Sequence, residues 1–114
     1  MARMLEIRTQ RIATLNDVLR NSLPAGGRVN LTAGVDALGP RFIASALAAV
    51  IAFKDFNADN DPWGEHDFGS FEIDGETLFW KIDYYDGSMQ FGSEDPADPA
   101  KTMRVLTIML SEEY

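Results

Sequence analysis

Along the first part of the chain, Leu5, Ile12, Leu15 and Leu19 recur at helical spacing with Val18 beside them, which predicts an amphipathic helix from about Leu5 to Ser22. Its polar face would carry Arg8, Arg11 and Arg20, and Leu23-Pro24-Ala25-Gly26-Gly27 supplies a stop. The segment Arg28-Val29-Asn30-Leu31-Thr32-Ala33 then alternates at period two and predicts a short strand. Asp36 to Pro40 reads as the entry to a second helix, with Pro40 near the first helical position, where its missing N–H is not needed. In that helix Phe42, Ile43, Ala46, Leu47, Val50 and Ile51 form a wide apolar stripe.

A polar stretch from Asp55 to Asp67, broken by Pro62 and Gly64, predicts a long loop. After it, Phe68–Ile73, Glu76–Tyr85 and Ser88–Phe91 read as three strands joined by Asp74-Gly75 and Asp86-Gly87, both suited to type I′ turns. In that register Ile73 faces Glu76, Phe71 faces Leu78, Tyr84 faces Met89 and Ile82 faces Phe91. One face then gathers Phe71, Ile73, Leu78, Trp80, Ile82, Tyr84, Met89 and Phe91, and the other carries Glu72, Thr77, Phe79, Lys81, Asp83 and Gln90. Asp98 and Pro99 resemble a helix cap and first turn before Met103, Leu106 and Leu110, so a last helix is expected over 103–110. The run Val105-Leu106-Thr107-Ile108 also suits a strand.

The expected fold is a single α+β domain over residues 1–114, ordered α-β-α-β-β-β-α. A three-stranded antiparallel meander, to which the short segment near Arg28 can add a fourth strand, packs with about three helices because its apolar face needs a cover. An apolar share of 46% over 114 residues is enough for one core. Without cysteine the chain has no disulfide, thiolate metal site or cysteine nucleophile, as suits a reducing cytoplasm. No membrane association is expected: the apolar run Phe42–Phe53 is too short to span a bilayer, and charges break up the first residues. The net charge of −8 conceals an asymmetry. Between Asp55 and Asp98 thirteen acids face Lys81 alone, a local charge of −12, while the rest of the chain is +4. Direct nucleic-acid binding by the acidic half is therefore disfavoured, and a basic protein surface is the partner its field would attract.

Candidate chemistry concentrates in the loop from Asp59 to Gly69, which holds the sole histidine. A calcium-loop frame started at Asp55 fails, since Asn60 takes the glycine position and His66 the closing glutamate position. A looser hard-cation site would draw on Asp59, Asp61, Glu65 or Asp67. His66 held by Glu65 or Asp67 is the candidate acid–base centre, because imidazole titrates near neutrality and a carboxylate fixes its tautomer. The plainer reading is that these side chains cap turns. No phosphate-binding loop, dinucleotide fingerprint or nucleophile elbow occurs, and no cofactor is expected. Trp63 reads as an exposed anchor or as a lid folded over the sheet, and Phe79 is an aromatic on the polar face; with Glu72 and Asp83 they are the candidate partner-binding residues.

The stretches from Asn60 to Gly69, Phe79 to Asp86, Gly92 to Pro96 and Arg104 to Leu110 resemble a bacterial family, domain of unknown function 3768, over about Arg11 to Tyr114. The resemblance implies an alphaproteobacterial protein often carried on mobile elements, and no established activity. That setting suggests a non-enzymatic interaction protein, an acidic inhibitor that presents carboxylates where phosphates would bind. The alternative is a small enzyme or metal-binding protein centred on Glu65, His66 and Asp67.

Overall fold

A computed structural model describes residues 2–23 and 28–114. Helix α1 (Ala2–Asn21) forms where the apolar spacing predicts a helix, with Ile12, Asn16 and Leu19 turned inward and Leu23 buried just beyond its end, while Leu5 and Val18 of the expected stripe are exposed. Pro24 to Gly27 of the expected stop lie outside the described residues. Strand β1 (Arg28–Leu31) follows. A single turn, α2 (Ala33–Asp36), buries Val35, and α3 (Pro40–Ala52) starts on its proline and buries Phe42, Ala46 and Val50. The remaining elements are β2 (Phe68–Ile73), β3 (Glu76–Tyr85), β4 (Met103–Leu110) and a closing 3-10 turn (Ser111–Glu113).

The sheet runs β1-β4-β3-β2, with β4 parallel to β1 and antiparallel to β3. It is therefore mixed, and two expectations are corrected. Residues 103–110 form a strand, not a helix: Asp98 spends its carboxylate on the Ala100 N–H in a local turn, and β4 sits at the centre of the sheet between two partners. Ser88–Phe91 is not a strand. Asp86 captures both the N–H and the hydroxyl of Ser88, and β4 already occupies the β3 edge that Ser88–Phe91 would need, so Tyr84 faces Arg104 and Ile82 faces Leu106. Just after it an isolated Tyr85–Gly92 bridge and the Ser93 N–H bond to the Tyr84 carbonyl tie the loop to the end of β3. Phe91 is left exposed.

The first hairpin forms as read, with Ile73 opposite Glu76 and Phe71 opposite Leu78. Asp74 and Gly75 both take positive φ, 51° and 80°, as a type I′ turn requires, whereas Gly87 does not. Gly75→Val should therefore destabilise the domain by about 1–2 kcal/mol, while Gly87→Val, in open space, should stay within about 0.5 kcal/mol. Urea melts of the two variants with equal midpoints would sink this distinction.

Helices cover one face of the sheet. Leu19, Val35, Phe42, Ala46 and Val50 pack against Leu78, Trp80, Ile82, Leu106 and Ile108 in a single core. Because side chains alternate along a strand, Phe79, Lys81 and Asp83 of β3 point to the opposite face with Val105, Thr107 and Met109 of β4. That face has no helix on it among the described residues.

Candidate functional site

His66 sits in the loop between α3 and β2 at a φ of 57°. Neither of its expected carboxylates holds it. Its Nδ1 lies 3.0 Å and 3.1 Å from the two oxygens of Asp17 on α1, and Nε2 lies 3.7 Å from Asp61. An ionised carboxylate only accepts, so Nδ1 carries the proton and donates it to Asp17. The ring stacks on Phe56 at 3.9 Å with 4° between planes. Asp61, buried, also accepts the His66 backbone N–H. One edge and one face of the imidazole are thus committed, the Nδ1 edge to Asp17 of α1 and the face to Phe56.

Glu65 and Asp67 go elsewhere. The Tyr84 hydroxyl donates to Glu65 at 2.9 Å, and fully buried Asn16 ties this pair to α1 by donating to the Tyr84 oxygen at 2.8 Å and the Glu65 carbonyl at 2.9 Å. Arg104 completes the group by donating to Asn16 Oδ1 at 2.7 Å. Burial, followed by the neighbouring Glu65 carboxylate, raises the Tyr84 hydroxyl well above the usual phenol range even though the Asn16 hydrogen bond pulls the other way. Asp67 is likewise raised, by burial first and Glu65 second. Its backbone carbonyl accepts from Ile82.

The four loop acids proposed for a cation do not converge. Asp59 is exposed, Asp61 faces His66, Glu65 faces Tyr84 and Asp67 lies at the start of β2. Among the described residues no three His, Asp or Glu side chains form a group that could hold a metal ion. Asn16, Asp17 and Arg104 were missed as partners of this loop because each lies far away in sequence, on a helix face or a strand with no local mark of the pairing. His66→Ala removes the Asp17 hydrogen bond and the Phe56 stack, and should destabilise the domain by about 1–3 kcal/mol in a urea melt. A parent-like melt would show that the ring is not structural and would return it to the acid–base candidates.

The candidate partner-binding residues divide. Trp63 is 80% exposed, so it is not a lid, and it stands beside Leu5 and Thr9 of α1. Glu72, Phe79 and Asp83 lie together on the open face of the sheet. There Phe68, Phe79 and Tyr114 form an aromatic triad with ring centres 5.2, 5.4 and 6.0 Å apart. Glu113 holds Tyr114 in place: its carboxylate accepts from Thr32 at 2.6 Å, from the Leu110 N–H at 2.9 Å and from the Gly34 N–H at 3.0 Å, and the Thr32 bond leads the causes that lower its pKa. Beside the triad a depression of about 620 Å³ runs over Thr107 and Met109 between Tyr85 and Tyr114. Asp83 is paired with Lys81 at 3.1 Å. Glu72 and Glu112 are exposed, and the segments 69–80 and 105–114 that bear this end of the sheet contain five acids and no base.

The family model described as protein of unknown function (DUF3768) matches residues 31–113. Searches of curated proteins and of solved structures found no match.

Proposed function

The chain belongs to DUF3768, a protein family of unknown function, and from that premise we propose that it is a non-enzymatic interaction protein that receives a basic partner on the open face of its sheet. The observation that carries this reading is the aromatic triad of Phe68, Phe79 and Tyr114, which no helix covers among the described residues, with Glu72 and Glu112 exposed near it and Lys81, the base opposite Phe68, already paired with Asp83. Aromatic side chains supply buried contact area once covered, and a rim of one charge steers an oppositely charged surface and rejects a like one. A partner that normally binds nucleic acid would meet carboxylates in place of phosphates, which is how such a domain would inhibit it.

The opposing reading, catalysis or metal binding at His66, has less to work with, since Nδ1 is already bonded to Asp17 and no group of three His, Asp or Glu side chains that could hold a metal ion forms among the described residues. The test is capture from the native lysate by the parent and by the double variant Glu72→Lys, Glu112→Lys. Asp83 is left unchanged, because reversing it would set a new cation against Lys81. The parent should retain a basic protein whose association slows as salt rises, and the double variant should lose it while melting normally. An acidic captured protein, or an affinity flat across the salt titration, would end the phosphate-mimic reading.

A further inference from the structure

Helix α1 outruns its own domain. From Arg3 to Arg11 every described side chain is exposed except Thr9, which is half-buried, and inward packing begins only at Ile12. A helical arm of this length is marginal in water without tertiary cover. It nevertheless carries Met4, Leu5 and Ile7, which are 72%, 63% and 50% exposed. Its charge comes from Arg3, Arg8 and Arg11 against Glu6 alone. Arg8 is paired with Asp95, whereas Arg3 and Arg11 make no ion pair among the described residues.

Among the described residues the same chain thus holds a basic, apolar helical arm with no sheet under it and an aromatic sheet face with no helix over it, on which Lys81 is paired with Asp83 while Glu72 is exposed. A two-layer α/β arrangement is completed when a helix lies on an open sheet face. The arm cannot reach the open face of its own copy, because α1 packs through Leu19 and Leu23 on the covered side, with Leu78 and Trp80. Lengths agree as well: from Phe79 to Tyr85 the face runs about 20 Å along β3, and the ten residues from Ala2 to Arg11 span about 15 Å of helix.

We propose that the α1 arm docks on the open sheet face of a second copy, placing Met4 and Ile7, neighbours on one side of the helix, over the Phe79–Tyr114 cluster and Arg3 and Arg11 of that same side against Glu72 and Glu112. This rests on the reading of that face as a docking surface and names one occupant for it. The smallest assembly that covers every arm is a pair exchanging arms reciprocally, each copy donating one and receiving one. An external basic partner would compete with the arm for the same face, so self-association would hold the face closed until that partner arrives.

Sedimentation velocity of the intact chain, from micromolar to near-millimolar concentration, tests this at low and high salt. The parent should dimerise, with a dissociation constant weakened by about ten-fold or more on going to high salt. The arm variant Arg3→Glu, Arg11→Glu and the face variant Glu72→Lys, Glu112→Lys should each be monomeric alone and melt like the parent. Mixed in equal amounts they should pair again, since each acidic arm then meets a basic face and each basic arm an acidic one. A parent that stays monomeric throughout overturns the proposal while leaving the docking face to be judged by the lysate capture. Dimers lost in the arm variant but kept in the face variant would mean that arm packs on arm, and would overturn it too. A mixture that fails to pair, with both variants folded, does the same.

Discussion

Replacing Gly69 with alanine is expected to be among the most damaging single-methyl additions available to this domain. Gly69 is buried in β2 opposite Trp80, and a Cβ there would stand 2.3 Å from Trp80 Nε1 and 2.7 Å from Phe53 Cζ. Neither ring can step aside. Trp80 is completely buried, and Phe53 and Phe56 meet it edge-on at centroid distances of 5.5 and 6.1 Å. Overpacking a rigid site costs about 1–3 kcal/mol and sometimes more, and this aromatic wedge belongs at the upper end. Gly34 provides the control. Alanine there would meet the Glu113 carboxylate at 2.7 Å, but this is the end of a flexible, exposed side chain, so the clash is relieved at the cost of its bonds to Thr32, Gly34 and Leu110 and not by moving buried rings. Urea melts should place Gly69→Ala well below Gly34→Ala, and Gly69→Ala combined with Trp80→Phe should lose less than the two single effects added. Additive losses would mean that the clash is relieved some other way.

Arg20→Ala is expected to lower stability by about 3–5 kcal/mol. The guanidinium is buried at 4% exposure, although its place in the sequence put it on the polar face of α1. Its NH1 reaches the carbonyls of Val50 and Ile51 at 3.2 Å each and that of Phe53, in the last turn of α3 and just beyond it, where carbonyls lack a helical i+4 donor. Its NH2 donates to Asp17 at 2.9 Å, and its carbon lies 5.4 Å from the Phe56 ring centre and 5.6 Å from that of Trp80. One side chain thus closes α3, orients the carboxylate that holds His66 and stacks on the aromatic wedge. Arg20→Lys should recover only part of the loss, because an ammonium cannot serve spread carbonyls and aromatic faces from one fixed plane. A melt of Arg20→Ala within about 1 kcal/mol of the parent would refute this account.

Parts of the candidate site were legible. The loop around His66 stood out as the densest polar cluster, but its working partners did not, since neighbours in sequence point apart and the real pairing reaches across to Asp17. Phe79 announced the open face by being an aromatic in a polar row. Its cover by Tyr114 depends on Glu113 being pinned to Thr32, 81 residues away in sequence, and no local pattern carries that.

What the chain determines by itself is whatever rests on short-range chemistry. The helix α1, the proline start of α3 and the Asp74-Gly75 hairpin depend on residues within a few positions of one another and form as expected, but of the apolar stripe expected on α1 Leu5 and Val18 are exposed, while Asn16 and Arg20 turn inward. The fate of residues 103–110 belongs to the tertiary structure. A strand buried on both sides shows a nearly continuous apolar run, which a buried helix can also show, and only the presence of β1 and β3 on its two edges decides between them. Once β4 takes the edge of β3, Ser88–Phe91 is left without a partner strand and turns back on Asp86, and Arg20 is drawn inward by the carbonyls at the end of α3. In each case a backbone group has to find a partner, and the assembled fold decides which one is within reach.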